Sequence, residues 1–201
     1  MEQGYEDEIS PDGKVILTQG GSPIMVWDVE TGKSLHSFDA WQGAISPNGK
    51  YISTVGPNGV QIWDAHTYAL VNTLDKEDYV GLFSPDDQYI VTHPAQDTTV
   101  LWNVQTGQKQ HIFTFDTDLI LAAFLRSKTY LLILVDDIAG IVVHTWDLDA
   151  DKEVNNMTLG VRLIDTAATF SVLPDGKSII TGADEIQLWD LQTGKELGRF
   201  C

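Results

Sequence analysis

Apolar and polar positions alternate along most of the chain in short runs, and the runs recur. VILT (15–18), YIST (51–54), YIVT (89–92), YLLILV (130–135) and SIIT (178–181) are rich in β-branched and aromatic residues, as buried strands are. PIMVWDV (23–29), GVQIWDA (59–65) and EIQLWDL (185–191) alternate up to a polar turn, the signature of half-buried strands. No run keeps a helical period over a useful length. SPDGK (10–14), SPNGK (46–50), SPDDQ (84–88) and LPDGK (173–177) precede strands of the first set. TGK (31–33), TGQ (106–108) and TGK (193–195) lie downstream of the tryptophan-bearing strands. Both are turn signals, in which Pro sets φ and Gly or Asn tolerates a positive φ.

The pattern is periodic. Trp27, Trp63, Trp102, Trp146 and Trp189 stand in MVWDV, QIWDA, VLWNV, HTWDL and QLWDL, at spacings of 36, 39, 44 and 43 residues. Each repeat predicts four strands: a before SPDG, b after it, c ending at the Trp-Asp pair, and d after TGK. The repeats run approximately 5–38, 41–74, 79–113, 119–159 and 166–201, within a single domain over 1–201. Strand a aligns Ile9, Ile45, Phe83, Phe124 and Val172 across the repeats.

Three motifs in fixed order at a drifting spacing resemble the WD40 repeat family, over nearly the whole chain. The resemblance implies an all-β fold, a β-propeller with one four-stranded sheet per blade, acting as a non-catalytic protein-interaction scaffold. The chain departs from the family pattern. The Gly-His pair before strand a is absent, Asn103 follows Trp102, and the fourth repeat has LRSKTY for SPDG and lacks TG. The family's Asp in the b–c turn is matched only loosely, for instance by Asp97. The His–Ser/Thr–Trp hydrogen-bond relay of the family is therefore expected to be incomplete, with stability resting on apolar packing. The five repeat tryptophans are expected to be mostly buried between blades. Asp7, flanked by Glu6 and Glu8, does not suit a buried strand, so the first strand should fray or lie at an open edge. Five repeats run in frame with no strand left as a latch. Two alternatives stand: a five-bladed ring closed by packing, or an open arc of a larger propeller. An arc would expose apolar faces and self-associate.

Composition narrows the function. The chain has 201 residues, with 43% hydrophobic and 20% charged, enough for a packed core. Twelve basic residues against 29 acidic ones leave a net charge of −17, which argues against nucleic acid and anionic membranes as partners. Cys201 is the sole cysteine, so no internal disulfide and no cysteine metal site can form. The opening MEQGYEDE is not a signal peptide, and LILAAFL and YLLILV are too short to span a bilayer. The expected location is cytoplasmic.

No candidate chemistry stands out. His36, His66, His93, His111 and His144 fall on strand d, the c–d turn, the b–c loop, strand d and strand c, without metal-ligand spacing. The Asp147-Asp149-Asp151 run has Lys152 and Thr158 where a calcium loop needs Gly and Glu, and reads as a solvated turn. Gly20-Gly21-Ser22-Pro23 lacks the Lys-Ser/Thr and the helix of a phosphate loop. No catalytic residue, cofactor or metal is expected, and the chain is read as a non-enzyme. The charges, however, segregate. On the d–a and b–c side stand Asp39, Asp75, Glu77, Asp78, Asp97, Asp116, Asp118, Asp136, Asp137, Asp165, Asp184 and Glu185, opposed by Lys76 and Arg162. The a–b and c–d side, which includes Asp12, Asp86, Asp87 and Asp175, is nearly balanced. The candidate partner site is therefore Trp41, Asp75, Asp78, Tyr79, His93, Asp97, Asp116, Asp118, Asp136 and Asp137, taking a protein or peptide of basic character. The rival reading is a hydrolase-like propeller enzyme with paired carboxylates on that face.

Overall fold

A computed structural model describes residues 7–74, 80–95, 97–116, 119–125, 130–137, 140–159, 169–173, 175–182 and 185–200. Described residues form five four-stranded antiparallel sheets and no helix. Sheet one holds β1 (Glu8–Ile9), β2 (Val15–Thr18), β3 (Ile24–Asp28) and β4 (Ser34–Phe38). Sheet two holds β5 (Gln42–Ile45), β6 (Tyr51–Gly56), β7 (Gly59–Asp64) and β8 (Leu70–Thr73). Sheet three holds β9 (Val80–Phe83), β10 (Tyr89–Ala95), β11 (Thr98–Asn103) and β12 (Lys109–Thr114). Sheet four holds β13 (Leu119–Leu125), β14 (Tyr130–Asp137), β15 (Gly140–Asp147) and β16 (Lys152–Leu159). Sheet five holds β17 (Thr169–Val172), β18 (Ser178–Gly182), β19 (Ile186–Asp190) and β20 (Glu196–Phe200). Each sheet runs in chain order, as short turns between antiparallel strands require. The chain divides into two compact units, Met1–Phe113 and Thr114–Cys201.

One register recurs in all five sheets. Ile9 pairs with Ile16 and Ile16 with Trp27. The same a–b–c ladder joins Ile45, Ile52 and Trp63, then Phe83, Ile90 and Trp102. Phe124, Leu131 and Trp146 form the fourth, and Val172, Ile179 and Trp189 the fifth. Since side chains alternate faces along a strand, this register puts each tryptophan on the same face of its sheet.

The relay is retained in its Trp→Thr half. The indole N–H of Trp27, Trp63, Trp102 and Trp189 donates to Thr18, Thr54, Thr92 and Thr181 at 2.8–3.0 Å. Ile133 stands at the threonine's place in sheet four, paired with His144.

Apolar packing joins neighbouring sheets within each unit. Leu17, Ile24, Val26 and Phe38 of sheet one cluster with Ile52 and Trp63 of sheet two. Val60, Ile62 and Leu74 of sheet two cluster with Ile90, Trp102 and Val104 of sheet three. In the second unit Leu132, Val143, Met157 and Leu159 cluster with Ile179, Trp189 and Leu191. The tryptophans are not equally covered, though none of the five is exposed. Trp102 and Trp189 are buried, whereas Trp27, Trp63 and Trp146 are half-buried. Trp27 and Trp146 belong to the first sheet of their units, with no earlier sheet of that unit to cover them.

The acidic start of strand a has a structural use. Glu8 accepts the N–H of Ile45 at 2.7 Å, and Gln19 accepts that of Gly43 at 2.8 Å. Both donors lie on the free edge of β5, so side chains of sheet one satisfy backbone groups that an edge strand leaves unpaired. Asp7 accepts the N–H of Gln19 at 2.9 Å. Burial pushes the Glu8 carboxyl up, and the Ile45 bond opposes that. Glu6 lies outside the described residues.

Candidate interaction surface

Each sheet has two loop-bearing ends. At the a–b/c–d end, carboxylates serve their own turns. Asp28 accepts both the N–H and the hydroxyl of Thr31, at 2.7 and 2.6 Å. Asp64 with Thr67 and Asp190 with Thr193 repeat this, and Asn103 does the same with Thr106 at 2.9 and 3.0 Å. The residue after the tryptophan is thus the acceptor of an Asx-type turn, a task an amide performs as well as a carboxylate. Asp147 accepts from the backbone of Asp149 and Ala150 at 3.0 and 2.9 Å, so the first carboxylate of the D-x-D-x-D run serves its turn. Among the described residues no group of three or more His, Cys, Asp or Glu is placed to hold a metal ion.

Two residues at this end stand where the turns of other sheets have glycine. Asp87, counted among solvent-facing charges, is buried with φ of 61°. It takes the position held by Gly13, Gly49 and Gly176 in the other turns, all at positive φ. Its carboxylate accepts the Ser46 hydroxyl at 2.8 Å and the Asn48 N–H at 3.2 Å, tying the SPDD turn of sheet three to the SPNG turn of sheet two. Tyr68 likewise replaces the Gly of TGK at φ of 58°. Its ring stacks on His36 of sheet one, with centroids 4.7 Å apart and planes 8° apart. The sequence signal was the missing glycine in SPDDQ and in His66-Thr67-Tyr68.

At the d–a/b–c end, Trp41 is 42% exposed. It sits just before β5, with its N–H donating to Val55 at 3.0 Å. Gly56 meets this loop so closely that a β-carbon there would collide with the Asp39 carbonyl. Asp39 is exposed and accepts the Ser22 hydroxyl at 3.1 Å. His93 lies within β10 rather than in the b–c loop, because that strand runs on to Ala95 across a bulge. The ring is half-buried with Nδ1 3.2 Å from the Thr99 hydroxyl. Burial pushes its pKa below the ordinary value, against a bond with the Thr98 backbone, so His93 adds no positive charge at neutral pH. Asp97 is exposed in the same hairpin and accepts the Thr98 hydroxyl at 2.9 Å.

In the second unit, Asp116 is exposed after β12. Asp136 and Asp137 close the b–c hairpin of sheet four, paired with Ile141 and Gly140. Asp75, Asp78, Tyr79 and Asp118 lie outside the described residues. Sheet five corrects the charge count at this end. Glu185 is bonded to Arg199 at 2.9 Å, so a third cation opposes the carboxylates there.

The sheets define blades of the WD40 type, each a four-stranded meander with the tryptophan on strand c and an Asx turn after it. No protein-family profile matches the chain. A curated relative, "Eukaryotic translation initiation factor 3 subunit I" of Phaeosphaeria nodorum, is 31% identical over 124 residues, covering 57% of this chain and 37% of the relative. The aligned part thus spans little more than a third of that protein's length. Among the described residues no helix is long and apolar enough to cross a membrane.

Proposed function

We propose that the chain is a non-catalytic, cytoplasmic protein-interaction scaffold whose d–a/b–c end takes a basic protein or peptide segment. The observation that carries this reading is Trp41, an exposed aromatic on a loop clamped by Gly56, at the end of the first unit's sheets where Asp39 and Asp97 are exposed. A rigid aromatic supplies apolar anchoring at small entropic cost, and carboxylates supply steering toward cations. The similarity to a protein named as a subunit of an initiation factor supports protein partners over catalysis.

An oligolysine peptide titrated against the intact chain, with tryptophan fluorescence as readout, tests this. Asp39→Lys with Asp97→Lys should weaken binding several-fold and flatten its salt dependence. The control Glu30→Lys, Gln105→Lys and Gln192→Lys makes the same change in net charge on exposed c–d turn positions and should do much less. Trp41→Ala should weaken binding with the salt slope unchanged. Equal responses to both charge sets would reduce the acidic end to a solubility device.

A further inference from the structure

An exposed indole and an exposed carboxylate share one short, fixed loop between sheets one and two. Asp39 and Trp41 are exposed, whereas Ala40 between them is 1% exposed, so the two side chains leave the surface together. Their Cα atoms lie at most about 7 Å apart. The Ala40 N–H donates to the Phe38 carbonyl at 2.9 Å and the Trp41 N–H to the Val55 carbonyl at 3.0 Å. A β-carbon at Gly56 would strike the Asp39 carbonyl and lie 3.2 Å from the Ala40 Cα, so the loop is pressed onto the hairpin of sheet two. The Asp39 carboxylate is oriented as well, with one oxygen accepting the Ser22 hydroxyl at 3.1 Å.

Elsewhere the chain matches such groups with its own cations. Lys50 and Lys109 lie over the rings of Tyr51 and Trp102, at 4.8 and 4.9 Å from the centroids. Arg199 forks onto both oxygens of Glu196 at 2.9 and 3.0 Å and reaches Glu185 at 2.9 Å. Among the described residues no cation lies over Trp41 and none pairs with Asp39. The two loops that touch this one, 19–23 and 56–59, contain no Lys or Arg. Their exposed residues are Gly20, Gly21, Ser22, Pro57 and Asn58, small or short side chains that leave the indole open to a planar group.

We propose that Trp41 and Asp39 form a subsite for an arginine side chain of the partner segment. The proposal rests on the basic-partner reading above and names the residue type that reading leaves open. A guanidinium is planar and weakly hydrated, so its face stacks on the indole while its N–H fork reaches the carboxylate beside the ring. A lysine ammonium is a compact, strongly hydrated charge, and gives up more water to lie on the indole. Arginine over lysine is therefore the preference this pair of groups builds in.

Calorimetric titration of the intact chain with oligoarginine and oligolysine of equal length tests the assignment. The parent should bind oligoarginine about five-fold more tightly, the worth of one exposed cation–π contact. Trp41→Ala and Asp39→Asn should each bring the ratio toward one. Asp39→Asn keeps an acceptor for the Ser22 hydroxyl and removes only the charge and half the fork. Asp97→Asn removes the same charge outside the pair, and should weaken both peptides while leaving their ratio as in the parent. A parent ratio of one, or a ratio that survives both Trp41→Ala and Asp39→Asn, overturns the arginine subsite while leaving the basic-partner reading in place. A parent that binds neither peptide overturns both.

Discussion

Trp102 and Trp189 place an indole N–H in a buried setting, and a threonine hydroxyl on strand b receives it. Thr92→Val keeps the shape and removes the acceptor. A buried donor left without a partner costs about 1–3 kcal/mol, so urea unfolding should show a loss of that order. Thr18→Val should cost less, since Trp27 is half-buried and water can take the hydroxyl's place. The turn carboxylates predict a pH effect. Asp28 and Asp190 lie below the ordinary aspartate value of 3.8 mainly through the hydroxyls of Thr31 and Thr193, and Asp64 mainly through the Thr67 N–H. A folded-state value below the unfolded one means the contribution is complete above 3.8 and is lost as pH falls through the lower folded value. Asn103 shows that the turn survives without a charge. The triple change Asp28→Asn, Asp64→Asn and Asp190→Asn should therefore flatten the fall of Tm below pH 3.8 while changing it little at pH 7. A profile as steep as the parent's would place the acid sensitivity elsewhere.

Elements are joined by residues that break the turn rules. A non-glycine residue at positive φ carries a cost of order 1 kcal/mol, and Asp87 offsets it with two hydrogen bonds into the neighbouring turn of sheet two. Asp87→Ala loses both bonds and keeps the strain, whereas Asp87→Gly loses the bonds and relieves it. Chemical denaturation should rank parent, then Asp87→Gly, then Asp87→Ala; the reverse order of the two variants would remove the strain argument. Tyr68→Gly should be tolerated by its turn and should cost stability through the lost stack on His36.

For the molecule as a whole, charge sets the sign of the salt dependence. The chain carries a net charge of −17, which favours cationic over anionic partners. Raising ionic strength shortens the Debye length to about 3 Å at 1 M. Oligolysine binding should then weaken, and a fluorescence titration at rising salt reads it; binding that holds constant with salt would not be steered by charge.

The recurrence of Trp-Asp, SPDG and TGK determined the strand order, the four-strand unit and the a–b–c register, because period-two alternation and turn chemistry are local properties of the chain. Placing Ile9, Ile45, Phe83, Phe124 and Val172 at one level needed nothing beyond the spacing of the motifs. Trp41 was legible as an exposed aromatic because it falls outside the repeat register. Tertiary structure alone decided what each polar residue does. Glu8 read as a misfit in a strand, yet it caps the free edge of β5 from 37 positions away in sequence. Asp87 read as surface charge, yet it is buried between two turns. Glu185 read as one of the unopposed carboxylates, yet it pairs with Arg199 across the c–d hairpin. Local pattern sets which face of a strand is apolar, whereas the partner of a carboxylate depends on which backbone donors or cations another turn, strand or sheet brings within about 3 Å.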